Sequence, residues 1–137
     1  MFLINANIII FAVFLNIKFV ENSNAQKIIK ALLEQINTDG IVVNNIVPEL
    51  QKLREFALNE EKPYLVKALR LASEHLQANN DFLIDIPSDE PIDDEIETQP
   101  DSNAIESLNY FISLMLDLEN KHNVADIKEY NIKFQEF

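Results

Sequence analysis

Residues 45–78 read NIVPELQKLREFALNEEKPYLVKALRLASEHLQA, and this stretch decides the fold. Its apolar side chains recur every three or four residues, which is the spacing of one buried face of an α-helix. The pattern stops at 59–61 and restarts behind Pro63, a residue that suits the first turn of a helix. We therefore predict one helix from about 44 or 45 to 58 and another over about 62–78, packed antiparallel across a short connection.

Each of these two predicted helices carries one apolar stripe. Pro48 lies near the start of the first helix, so it must occupy the first turn or bend the helix. The stripe positions are Ile46, Leu50, Leu53 and Ala57 in the first helix and Leu65, Ala68, Leu69, Ala72 and Leu76 in the second. The chain has a single Gly, Gly40, whereas sheets joined by tight turns need several, so the composition also favours helices.

Helical spacing continues on both sides of this stretch. On the amino-terminal side a helix over 26–36 is predicted from Ile28, Ile29, Leu32, Leu33 and Ile36, and NTDG at 37–40 ends it. On the carboxyl-terminal side a helix is predicted from about 101–103 to about 120, where Asn103 and Glu106 have the spacing of a capping pair. The apolar face of this helix consists of Ile105, Leu108, Phe111, Ile112, Met115 and Leu116.

The last residues, 124–137, fit two patterns. Helical spacing places Val124, Ile127, Tyr130, Phe134 and Phe137 on one face. Tyr130, Ile132 and Phe134 also alternate as in a strand, but we predict the helix. The sequence thus predicts an all-α protein, a compact bundle of four to five helices, and it shows no repeat that would indicate a solenoid.

A segment of different character, 81–101, separates the third predicted helix from the fourth. It contains nine acidic residues, three Pro and no Lys or Arg, so most of the chain's net charge of −12 lies in it. Like charges repel one another and Pro interrupts regular hydrogen bonding. We therefore predict a long, mobile, acidic loop inside a single domain that spans 26–137.

The first 25 residues, which begin MFLINANIIIFAVFLNIKFV, predict a signal peptide. The apolar run from Ile8 to Leu15 suits a signal-peptide core of about 7 to 15 residues better than a membrane span of about 20. Ser23 and Ala25 occupy the small-residue positions of a cleavage site before Gln26. Because no Lys or Arg precedes the run, two alternatives stay open: a buried helix or strand of the domain, and an uncleaved membrane anchor.

No residue pattern assigns a catalytic, cofactor-binding or metal-binding role. His75 and His122 have no second ligand at zinc spacing, and the chain has no Cys, so we interpret His75 as an ordinary partly buried or surface residue. Asn37, Asp39 and Gly40 match the middle of a calcium-binding EF-hand loop, but neither end of the loop fits. We interpret the remaining acids as a solvated loop without a cation, namely Asp89, Glu90, Asp93, Asp94, Glu95 and Glu97. We therefore expect a protein that is not an enzyme.

The acidity of the chain bears on its partners. A net charge of −12 is repelled by nucleic acid and by anionic membranes, so a basic or neutral protein partner fits better. After cleavage of the signal peptide we expect no stable membrane insertion. In layout, a signal peptide followed by a short, acidic, helical, Cys-free body resembles the small effector proteins that parasites and sap-feeding insects secrete into hosts. The resemblance implies a secreted protein that binds a host protein.

A carrier or structural role is the alternative. Helical bundles can hold an apolar small molecule between their helices. The side chains that would line such a cavity are Phe56, Phe82, Phe111 and Met115, which also suit an ordinary core. The sequence assigns no partner-binding residues in either case.

Overall fold

The computed structural model describes residues 23–87 and 104–137. Within these ranges the chain forms five α-helices, namely α1 (Ser23–Asp39), α2 (Val43–Asn59), α3 (Pro63–Asn79), α4 (Ala104–Ser113) and α5 (Lys121–Glu136), with a 3₁₀ turn at Leu114–Leu116. Helices account for 81% of the described residues, which contain no strand. The predicted all-α bundle is confirmed, and so is the helix near the carboxyl terminus; the strand alternative for that segment is wrong.

The helices surround one apolar core. α2 and α3 form the antiparallel pair predicted from the sequence, α3 packs on α5, and α1 packs on both α2 and α4. Every position of the predicted α2 and α3 stripes is buried. Rings from α4, α5 and the segment after α3 meet at the centre, with centroids 4.9–6.2 Å apart: Phe82, Phe111, Tyr130 and Phe134. The core therefore joins all parts of the described chain.

Two residues with special backbone properties lie at α1 and α2. Gly40 has φ = +76°, a left-handed conformation that a Cβ would strain, and its N–H donates to the carbonyl of Ile36 at 2.9 Å. The single Gly thus ends α1. Pro48 lies inside α2, in the second turn and not the first, so it donates no hydrogen bond to the carbonyl of Asn44.

α4 is shorter than its apolar face predicts. The sequence indicated a helix to about 120, but the α-helix ends at Ser113 and the chain turns before α5 begins. The longer helix is wrong because side chains cap the reversal: Asn120 Oδ1 accepts from the N–H groups of His122 and Asn123. In addition, Asn123 Nδ2 donates to the carbonyl of Asp117 at 3.0 Å. The apolar side chains of the turn stay buried, namely Leu114, Met115 and Leu118.

The first residues of the acidic segment pack on the core. Phe82 and Ile84 are buried, and the Ile84 carbonyl accepts from Ser107 Oγ at 2.6 Å. The prediction of a mobile linker that starts at 81 is therefore wrong for 82–84, because burial of two large apolar side chains outweighs the charge around them. The rest of the linker from 88 onward, including its six named acids, lies outside the described residues, as does the predicted capping residue Asn103.

The predicted signal peptide falls mainly outside the described residues, which begin at 23. Ser23 and Ala25 lie in the first turn of α1, and Ala25 is buried. Cleavage after Ala25 would leave α1 to begin at Gln26. The side-chain Nε2 of Gln26 donates to the carbonyl of Leu116 at 3.2 Å, so this residue already joins α1 to the 3₁₀ turn.

Candidate functional site

Backbone hydrogen bonds shape the turn between α2 and α3. Glu61 has φ = +55°, in the left-handed region. The N–H groups of Glu60, Glu61 and Lys62 donate to carbonyls in the last turn of α2 at 3.1, 3.2 and 3.1 Å. Pro63 is the first residue of α3, where an N–H would have no helical partner. These features hold the end of α2 beside the start of α3.

An open groove of about 370 Å³ lies where these two helix ends meet. Its walls are the side chains of Ala57, Leu58, Glu61, Lys62, Pro63, Val66, Lys67 and Arg70. Leu58 is 52% exposed although it directly follows Ala57, the last buried position of the α2 stripe. An apolar surface that is exposed inside a concave site is typical of ligand-binding and protein-binding surfaces.

Positive charge surrounds this groove. Lys62, Lys67 and Arg70 line it together with a single acid, Glu61, in a chain whose net charge is −12. Within the described residues Lys62 and Lys67 form no ion pair, whereas Arg70 Nη1 lies 3.2 Å from both carboxyl oxygens of Glu74. The groove therefore combines apolar side chains with two cations that form no ion pair within the described residues.

Glu60 occupies the same turn and is chemically unusual. Both of its carboxyl oxygens are shielded from solvent and accept no hydrogen bond. Desolvation by burial raises the pKa of Glu60 to about 7, although the positive charge of Lys62 lowers it. The carboxyl group therefore takes up a proton close to neutral pH, which makes the turn more positive as the pH falls.

The structure places His75 in the packed interior. The residue is buried, its Nε2 accepts from the Leu83 N–H at 2.9 Å, and its ring meets those of Phe82 and Phe137 edge-on at 5.7 and 4.8 Å. Burial lowers the pKa of His75, while the charge of Asp81 acts in the opposite direction. A neutral ring is needed to accept from Leu83. His75 thus fastens the segment after α3 to the core, a more specific role than the sequence indicated.

The other residues considered from the sequence are dispersed. His122 lies on the surface, with its Nε2 3.5 Å from Oδ2 of Asp126. Asn37 lies in α1 and accepts a hydrogen bond from Nδ2 of Asn109 at 2.8 Å, while Gly40 ends the helix. Among the described residues, no group of three or more His, Asp or Glu is placed to hold a metal ion. In the described part of the chain, the structure therefore brings none of these polar sequence candidates together into a metal or catalytic site.

The sequence patterns did not predict the groove, because helical periodicity identifies buried helix faces and the groove is an exposed surface. Helical periodicity identified Ala57 as the end of a stripe and treated Leu58 only as the end of a helix. A signal was present: Leu58 lies outside the apolar stripe, and Lys62 and Lys67 follow it closely. The approach of Val66 to Leu58 depends on the α2–α3 turn, which periodicity does not describe.

The fold and the groove define a small helical bundle with an apolar, positively charged surface site. In comparisons with known proteins, no family model, no curated protein and no solved structure matches the chain. No helix in the described ranges is both long enough and apolar enough to cross a membrane.

Proposed function

We propose that the protein is a small secreted binding protein, and not an enzyme, that engages a protein partner through the α2–α3 groove. The observation that supports this proposal is the exposed Leu58 in a concave site beside Lys62 and Lys67. Burial of an apolar side chain gives a gross gain of about 25 cal/mol for each Å² removed from water, which offsets part of the entropy cost of association. Charged groups at the edge of such a site orient the partner and select it.

The packing of the core favours surface binding over carriage of an apolar molecule. Phe82, Phe111 and Met115 are buried, and the rings of Phe82 and Phe111 are in contact, with centroids 6.1 Å apart. Phe56 is partly buried against the same core. The side chains named for the carrier alternative therefore pack as ordinary core residues.

Delivery into a host is part of the proposal. A chain without Cys has no disulfide to lose, so it keeps its fold when it passes from an oxidising secretory route into a reducing cytosol. This property suits the expected signal peptide at 1–25 and the effector-like layout. On this basis the partner is a host protein.

The test compares two variants that introduce the same charge on different surfaces. Leu58→Glu places a carboxylate in the groove, whereas Leu83→Glu places one at a leucine that is 49% exposed elsewhere. The secreted protein should capture a partner from host extract, Leu58→Glu should lose this partner, and Leu83→Glu should retain it. Melting curves check that both variants fold. A partner that Leu58→Glu still captures at the wild-type level would overturn the groove as the binding site.

A further inference from the structure

The groove differs in charge from the chain that contains it. Three of its eight lining residues are basic and one is acidic, whereas the whole chain has 11 Lys or Arg and 23 Asp or Glu. Lys67 and Arg70 lie three residues apart on α3, which places them on one helix face. Lys62 lies in the turn before α3. The three cations therefore line the same groove as Leu58 and Val66, and they come from both the turn and the helix.

We propose that the groove binds a peptide segment of the partner in which an apolar side chain is flanked by Asp or Glu. This inference rests on the proposed function, since it names the chemistry of the partner. The apolar side chain packs on Leu58 and Val66, and the carboxylates pair with Lys62 and Lys67, which have no ion pair within the described chain. Arg70 is less available because it already contacts Glu74.

The long-range charge of the chain restricts where such a segment can occur. A net charge of −12 repels a partner that is acidic as a whole. The acidic segment must therefore be a local feature of a partner whose overall charge is neutral or basic. Such a partner approaches without net repulsion and is then selected at contact by the cations of the groove.

Selection from a random library of linear peptides tests the chemistry without knowledge of the partner. The folded full chain and its Leu58→Ser variant, which removes the apolar side chain without adding charge, serve as separate targets. We expect the peptides that bind only the wild-type chain to carry Asp or Glu within one helical turn of a large apolar residue. Peptides that require Leu58 but show no excess of acids over the starting library would overturn the inference and leave the proposed function standing. If no selected peptide requires Leu58, both fail.

The strongest selected peptide is then synthesised and its affinity is measured by fluorescence anisotropy. Lys67→Glu should weaken binding about three- to tenfold, because an attractive contact becomes a repulsive one. Lys30→Glu makes the same change of charge on the exposed side of α1 and should leave the affinity unaltered. Equal losses in the two variants would overturn the inference, since they would show an effect of net charge alone.

Discussion

Single buried polar residues determine where the segment after α3 lies. Ser107 Oγ donates to the carbonyl of Ile84, and Tyr130 Oη donates to the carbonyl of Ser107 at 3.0 Å. His75 accepts from Leu83 in the same region. Each of these bonds satisfies a polar group that burial would otherwise leave without a partner, so together they hold Phe82 and Ile84 in the core.

The side chain of Phe111 lies at the centre of the core. The residue is fully buried among the rings of Phe82, Tyr130 and Phe134. Phe111→Ala should lower the free energy of unfolding by about 3 to 5 kcal/mol, since it removes buried surface and leaves a cavity. Thermal or urea unfolding measures the change. Ile132→Ala, at a side chain that is 46% exposed, is the control and should cost much less; equal costs would contradict the packing.

Glu60 makes stability depend on pH in a defined direction. Its pKa is raised from 4.5 to about 7 in the folded chain, so the folded state favours the protonated form. The associated stability is complete below about pH 4.5 and is lost as the pH rises through about 7. Glu60→Gln should therefore stabilise the protein above pH 7. The gain should be no more than about 1 kcal/mol, because the carboxyl group lies near the surface and solvent beyond its immediate neighbours still screens its charge.

Unfolding midpoints of Glu60→Gln and the wild type, measured over a range of pH, check this prediction. The difference between the two proteins should vanish at acidic pH, where the wild-type carboxyl group is protonated in both states. Glu55→Gln, at an exposed position of α2, is the matched control and should show no such pH dependence. A difference for Glu60→Gln that stayed constant with pH would show that its carboxyl group is not desolvated.

The turn between α4 and α5 depends on one helix cap, which the side chain of Asn120 provides. Asn120 Oδ1 accepts two N–H groups at the start of α5. Asn120→Ala should cost about 1 kcal/mol of stability, because these groups lose their acceptor. Asn45→Ala, in the exposed first turn of α2, removes no side-chain bond within the described residues and should be close to neutral. Denaturant unfolding distinguishes them, and equal effects would argue against the cap.

Three of the five helices follow from local sequence patterns, whereas the end of α4 and the packing of Phe82 do not. Periodic stripes predict α1, α2 and α3 because each buries one regular face, and Pro63 and Gly40 mark two helix boundaries through local chemistry. The end of α4 was missed because the apolar residues continue through the turn, so periodicity does not register it. The packing of Phe82 was missed because the bonds that hold its segment join residues far apart in sequence, as in Ser107 to Ile84.

For the whole molecule, too, the fold class follows from local sequence patterns whereas the groove depends on contacts between helices. An all-α bundle follows from composition and periodicity, which are properties of the chain alone. The groove arises where two helix ends meet, and its chemistry depends on Leu58 lying near Val66 and Lys67. No motif encodes that arrangement, because each contributing residue is ordinary by itself. The sequence therefore leads to the hypothesis of a binding protein in general terms, but it does not predict the groove.

The proposed export of the protein determines the first residue of the mature chain. We expect the secreted protein to begin at Gln26, because Ser23 and Ala25 fit the requirement of signal peptidase for small residues. The side chain of Gln26 would still donate to Leu116 after cleavage, so the bundle should keep this contact. Mass spectrometry of secreted material gives the first residue directly. A soluble, folded, secreted protein that retained Met1 would contradict the signal peptide.

Amide hydrogen exchange shows whether the α2–α3 groove contacts the partner, as we propose. Exchange is measured on the protein alone and on its complex with the captured partner. We expect slower exchange on binding at 57–70, which contains the groove, with little change around Leu83 and Phe137. Unchanged exchange at 57–70, together with protection around the exposed side chains of Leu83 and Phe137, would contradict the proposal and assign binding to the surface around those two residues.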